Sequence, residues 1–260
     1  MTVLVPSAFS PARDASAADW IVRTVKPWGR DRVRLWSFLP DTFERYARVL
    51  HPARRTEGTR GTVRWRDLAA RRGVTIGPAT GFREVSGLDP ADQTAWYNAA
   101  PNEGTLEPEQ VAALAEILEP FTETPGRCWA AIWEGWGSWR PGSSATLVSV
   151  TSDAQPAPAP PRPAGVEIDI DSVARFEIPH RAYLLFSARV AEVPTFAIGG
   201  WHQAPSIWWP DDRAWCVATE VDGCSTYVGG SAPCVAALIG SDEVEAIEVA
   251  ADFAFDPGAS

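Results

Sequence analysis

Lysine is almost missing from this chain. Of its 260 residues only Lys26 is lysine, so arginine carries nearly all the basic charge, and 23 prolines with abundant alanine complete a composition typical of a high-GC genome. Arginine and alanine recurrences are therefore a product of coding bias and are poor pointers to a site. Histidine is scarce too. His51, His180 and His202 stand alone, and the absence of H-x-x-x-H and H-E-x-x-H excludes the familiar zinc-hydrolase ligand sets. The cysteines Cys128, Cys216, Cys224 and Cys234 never form C-x-x-C and share no zinc-like spacing with histidine. Reduced thiols in a cytoplasmic protein are the simplest expectation, with no metal and no cofactor.

Long apolar runs are lacking as well. No stretch of about 18 apolar residues occurs, so no transmembrane helix is expected, and the net negative charge makes a membrane partner a poor expectation. The opening MTVLVPSAFSPARD has no basic n-region, and Pro6 breaks its apolar run, so no secretory leader is expected. Neither G-x-G-x-x-G nor a Walker lysine is found, which removes the commonest phosphate loops.

What is present is a divided charge. The chain carries −10 overall, yet through Gly81 there are 15 basic against 7 acidic residues, and beyond it 8 against 26. An acidic protein is a poor candidate for nucleic-acid binding. The basic first third is explained as a region that docks on the acidic remainder or solvates a face, with a nucleic-acid patch as the alternative.

Periodicity places the elements. Ser16-Ala-Ala-Asp19 has capping-box form before a short helix through Trp20, Ile21 and Thr24, ended by Pro27. RVRLWSFLP and FERYARVLHP alternate like strands, and WRDLAARR reads as a helix stopped by Gly73. Residues 73–105 show little periodicity and are expected to be irregular. LEPEQVAALAEILEPF is the clearest helix, with Pro108 in its first turn and Val111, Leu114, Ala115 and Leu118 on one stripe. CWAAIWEG, ATLVSVTS, VEIDI, ARFEI, RAYLLFSARV and EVEAIEVA read as strands, and APCVAALIG as a helix.

Strands thus outnumber helices without a βαβ rhythm. The fold class expected is α+β, a mostly antiparallel sheet (a mixed sheet being the alternative) with a few interspersed helices. A single domain over 1–260 is expected, with DAQPAPAPPRPAG forming a surface loop near 154–165; the alternative is a lobe over 1–153 and another over 165–260.

The densest run is SIWWPDDRAWCVATEVDGCSTYVGGS, residues 206–231. Gly229-Gly230-Ser231 has the setting of a nucleophile elbow, but Pro233 replaces the second glycine and every histidine precedes the serine. Capping of the following helix by Ser231 explains it better. Asp211-Asp212 could join Glu220 as an acid/base couple, though adjacent aspartates after Pro210 also make a solvated turn with Arg213. Trp215, Val217 and Val221 alternate with Ala214, Cys216 and Ala218, so both faces of that strand are apolar and the strand is central. Of the 13 tryptophans, Trp136 and Trp139 in a glycine-rich loop, with Trp208 and Trp209, are the candidates for exposed aromatic contacts.

The blocks YARVLHP, CWAAIWEGWG and WWPDDRAWCVATEVD with TYVGGS resemble a set of uncharacterised proteins of high-GC Gram-positive bacteria. That resemblance implies a self-contained soluble protein and brings no catalytic residues. In acidity and α+β class the chain is also similar to SMI1/KNR4-like immunity proteins, with no motif to align.

A non-enzymatic protein that binds a partner, another protein, is the function these features favour. Its binding residues would come from Trp136, Trp139, Trp208, Trp209, Asp211, Asp212, Arg213 and Glu220. The alternatives are a hydrolase using Asp211, Asp212 and Glu220, an immunity-type protein, and a nucleic-acid binder acting through the first third.

Overall fold

A computed structural model describes residues 1–28, 33–54, 61–89, 91–92, 95, 98–136, 165–199 and 201–255. In chain order its strands are β1 (Thr2–Pro6), β2 (Ser10–Pro11), β3 (Arg45–Leu50), β4 (Cys128–Trp133), β5 (Gly165–Asp169), β6 (Arg175–Ile178), β7 (Arg181–Ala188), β8 (Ile207–Pro210), β9 (Cys216–Thr219), β10 (Ser225–Gly230) and β11 (Ala246–Val249), besides two-residue pairs. The helices are α1 (Asp19–Thr24), α2 (Trp65–Arg72), α3 (Phe82–Ser86), α4 (Pro108–Leu118) and α5 (Ala232–Gly240).

Nine strands build one sheet in the order β11-β3-β10-β9-β8-β4-β7-β2, with β6 on the same edge of β7 as β2. Every described pairing is antiparallel, so the architecture is α+β and the mixed-sheet alternative falls away. Strands from before and after residues 154–165 share this sheet, as the register Ala131 opposite Leu185 shows. β1 and β5 pair beside it as a separate ribbon.

The central strands β8, β9 and β10 are buried along their whole length, as their unbroken apolar character requires. Strand alternation sends successive side chains to opposite layers. On one face Ala131, Leu185, Ile207, Trp209, Ala218 and Tyr227 pack with Trp20 and Ile21 of α1. On the other Trp208, Val217 and Val228 meet the stripe Val111, Leu114, Ala115 and Leu118 of α4, and Val235 and Leu238 of α5. A smaller cluster joins Trp65 and Ala69 of α2 to Phe82 and Val85 of α3 under Leu50.

Local chemistry explains most boundaries. Gly73 ends α2 in the left-handed conformation, φ 68°. Ser231 caps α5 by accepting the Cys234 N–H at 3.4 Å. The Asp222-Gly223 turn joins β9 to β10, with Thr219 opposite Thr226.

Three expectations need correction. Ser16 caps nothing; its hydroxyl and N–H both go to Asp14, and a 3-10 turn leads into α1 without a side-chain cap. In RVRLWSFLP only Val33–Arg34 is strand, and a 3-10 turn follows over Leu35–Ser37. Leu35, Phe38 and Leu39 are spaced i, i+3, i+4, a helical pattern that buries all three and outweighs the apparent alternation. Residues 73–105 contain α3, whose start is held by the Glu84 carboxylate accepting the Gly81 N–H at 2.9 Å. Five residues are too few for a periodic signal. ATLVSVTS and the Pro/Ala segment up to 164 lie outside the described residues.

Candidate functional site

Four adjacent strands, β8-β4-β7-β2, present one end to a common cleft. Pro210 pairs with Cys128, Ser187 with both Trp129 and Ser10, and Phe186 with Pro11, so the segments after β8, before β4 and after β2 converge there. The cleft has a volume of about 490 Å³ and is lined by Arg13, Asp14, Arg127, Trp129, Asp211 and Arg213, with Ser16 on its rim.

The turn Asp211–Arg213 is pinned on every side. The Asp212 carboxylate accepts the Thr122 hydroxyl at 2.8 Å, the Glu123 N–H at 2.7 Å and the Ala214 N–H at 3.1 Å. Its own N–H goes to the Thr124 hydroxyl at 3.1 Å, and the Asp211 N–H to the Arg127 carbonyl at 3.0 Å. Burial alone would raise the Asp212 pKa, but these donors, led by Thr122, hold it below the ordinary carboxylate value. Trp129 donates its indole N–H to Asp211 at 2.8 Å, and Arg127 stands 3.7 Å from the same carboxylate. The turn forces Arg213 to φ 59°, unusual for a residue with a Cβ, and its guanidinium lies 5.7 Å from the Trp20 ring centre.

Glu220 belongs to a different place. It stands beyond the far end of β9, 2% exposed, and accepts a hydrogen bond from Arg181 at 2.7 Å. The same Arg181 nitrogen reaches Asp222 at 3.0 Å, and the guanidinium sits between the rings of Trp28 and Trp133 at 5.1 and 5.2 Å. Burial raises the Glu220 pKa, and the Arg181 charge only partly opposes it. Trp136 packs edge-on against Trp133 at 5.6 Å, half-buried, over Gly104. Among the described residues, the Arg181 Nε and the Trp136 Nε1 are buried without a hydrogen-bond partner.

The eight candidate residues therefore divide. Asp211 and Arg213 line the cleft, and Asp212 braces it from behind. Glu220 and Trp136 lie at the opposite end of the sheet. Trp208 and Trp209 are corrected from surface contacts to core, at 2% and 1% exposure: Trp208 meets Trp215 edge-on at 5.1 Å, and Trp209 meets Trp20 at 6.2 Å. Pairing on both sides, by β4 and β9, seals the strand that carries them. Trp139 lies outside the described residues. Asp211 and Asp212 share no partner with Glu220, so the three carboxylates do not form an acid/base couple.

His51 and the four cysteines are enclosed, whereas His180 and His202 are exposed. His51 has its Nδ1 2.7 Å from the Asn102 carbonyl and its Nε2 2.9 Å from the Thr226 hydroxyl, which meets Thr219 at 2.7 Å. Burial, with the nearby Arg48 charge adding to it, brings its pKa down to about 4 although the Asn102 bond works the other way. All four cysteines are free and buried, and burial raises the pKa of the Cys128 and Cys216 thiols and pushes Cys234 up to about 12. Among the described residues no group of three or more His, Cys, Asp or Glu could hold a metal ion, and no helix is long and apolar enough to cross a membrane.

The basic first third makes contacts of its own. Arg45 pairs with Glu248 at 2.6 Å, Arg66 with Asp242 at 3.7 Å, and buried Arg48 donates to the Pro78 and Thr80 carbonyls. Sequence reasoning missed Arg13, Arg127 and Trp129 as cleft residues and Arg181 as the partner of Glu220. An arginine-rich composition hides these three arginines among 22, and only strand order brings Arg13 and Arg127 to one cleft and Arg181 to Glu220 at the other end of the sheet. No family model, no curated protein and no solved structure matches the chain.

Proposed function

We propose that this is a non-enzymatic binding protein of the cytoplasm that holds a protein partner at the cleft between residues 11–17, Arg127–Trp129 and Asp211–Arg213. One observation carries it: Arg213 is held in a strained left-handed conformation by a turn fixed through Asp211 and Asp212, beside an open cleft. Strain of this kind costs on the order of 1–3 kcal/mol and tends to persist where the surroundings serve a site. Arginine and tryptophan side by side on an accessible surface are also the residue types that dominate binding hot spots. The hydrolase alternative loses support because Asp211 and Asp212 are committed to holding the turn while Glu220 is committed to Arg181 at the other end. Four buried free thiols fit a reducing compartment.

The test is site-specific photo-cross-linking in the native host. A photoreactive residue at Ser16, exposed on the cleft rim, should capture a discrete protein that Arg213→Gln abolishes; the same residue at Arg71, exposed on α2, should not. Equal capture from both positions, or capture indifferent to Arg213→Gln, removes the cleft from the function.

A further inference from the structure

We infer that the segment seated in this cleft is acidic, with carboxylate side chains meeting Arg13 and Arg213; this rests on the binding reading above and names its ligand. The cleft is lined by three arginines and two aspartates. Both aspartates are already engaged. Asp14 accepts the Ser16 N–H at 2.9 Å and its hydroxyl, and Asp211 accepts the Trp129 indole and faces Arg127. Arg13 and Arg213 have no acidic partner among the described residues. Two guanidinium forks are therefore unspent on one concave surface, and a planar fork matches a carboxylate in a two-bond geometry.

The shape favours a segment of chain over an engulfed small molecule. Small-molecule pockets are mostly apolar and bury most of their ligand. This cleft is rimmed by exposed side chains, those of Arg13, Asp14, Ser16, Arg127, Asp211 and Arg213, around one half-buried tryptophan. Its volume of about 490 Å³ accommodates several side chains of a polypeptide laid across it. The net charge of −10 opposes an acidic partner at long range. That repulsion is screened beyond about 8 Å at physiological salt, whereas contact pairs with Arg13 and Arg213 act inside that distance.

The Trp129 indole N–H, hydrogen-bonded to Asp211 inside the cleft, is the reporter. Nitrogen-15 NMR of the full chain should show this resonance moving on titration with a capped hexaglutamate peptide and staying still with hexalysine. Arg13→Gln with Arg213→Gln should raise the peptide's dissociation constant about tenfold or more, Arg13→Gln alone should weaken it, and Arg71→Gln should leave it unchanged. Matching melting curves establish that the variants fold. An unmoved indole, or a shift that survives in the double variant, overturns the inference. So does inorganic pyrophosphate moving the indole as strongly as the peptide, which would make this a site for free anions. If the Ser16 cross-link persists while hexaglutamate fails, only the acidic ligand falls; if the cross-link itself is absent, the binding reading falls with it.

Discussion

Arg181 and Glu220 meet at 2.7 Å with the carboxylate 2% exposed, and this pair explains why Glu220 cannot serve the turn that carries Asp211 and Asp212. Two rings and a second carboxylate, Asp222, also face the guanidinium. Removing one member of such a buried pair costs far more than the pair contributes, about 3–5 kcal/mol, because the other charge is left uncompensated. Arg181→Met should therefore destabilise more than Glu220→Gln, which leaves Arg181 paired with Asp222. A carboxyl whose folded pKa is raised favours the fold below its unfolded value and loses that contribution as pH rises through the folded one. Arg181→Met should then recover stability on going from pH 7 to pH 5. Urea unfolding followed by tryptophan fluorescence checks both; equal losses for the two variants would refute the ranking.

Trp209→Ala should cost about 3–5 kcal/mol, the range for removing a large buried aromatic. Trp208→Ala should cost a similar amount through the opposite face. Both losses belong to folding. A variant of either tryptophan that melts like the native protein yet fails to bind would contradict their placement in the core.

Asp212→Ala should cost about 1 kcal/mol, modest because the carboxylate is mostly solvated and its hydrogen bonds are screened. The Asp212 pKa is lowered in the fold, so its contribution is present above the unfolded value of about 3.9 and disappears as pH falls through the folded one. The stability gap between native protein and Asp212→Asn should accordingly be open at pH 7 and narrow as pH falls below about 3.9. A gap of constant size across that range would refute the cause given.

His51 acts over a higher window. Its folded pKa is about 4 against an ordinary 6.5, so it stays neutral in the fold while the unfolded chain takes up a proton. Stability is fully present above pH 6.5 and falls as pH drops toward 4, by up to about 3 kcal/mol. His51→Gln should remove that slope between pH 6.5 and 4 while lowering stability at pH 7. Denaturant midpoints measured at half-unit pH steps would show it.

Much of this fold is legible in the sequence because the relevant signals are local. The stripe on Pro108–Leu118, the two-sided apolar run from Trp215 to Val221, the Asp222-Gly223 turn and the Ser231 cap each depend on residues within one or two turns of each other. Backbone sterics, hydrogen-bonding capacity and side-chain periodicity suffice to place them. The same local rules were misled at Leu35–Leu39, where alternation and helical spacing compete, and at Ser16, where Asp14 is the nearer partner.

The candidate site lies beyond such rules. Trp208 and Trp209 look alike in sequence whether a neighbouring strand covers them or water does, and only the insertion of β8 between β4 and β9 decided their burial. Arg13, Arg127 and Arg213 come together because β8, β4, β7 and β2 lie side by side, an order set by long-range pairing and not by any spacing along the chain. Composition and periodicity determined the class of this protein and most of its elements. The tertiary structure decided which arginines have no acidic partner among the described residues, because Trp129 and Arg127, distant in sequence, engage Asp211, while Ser16 nearby engages Asp14.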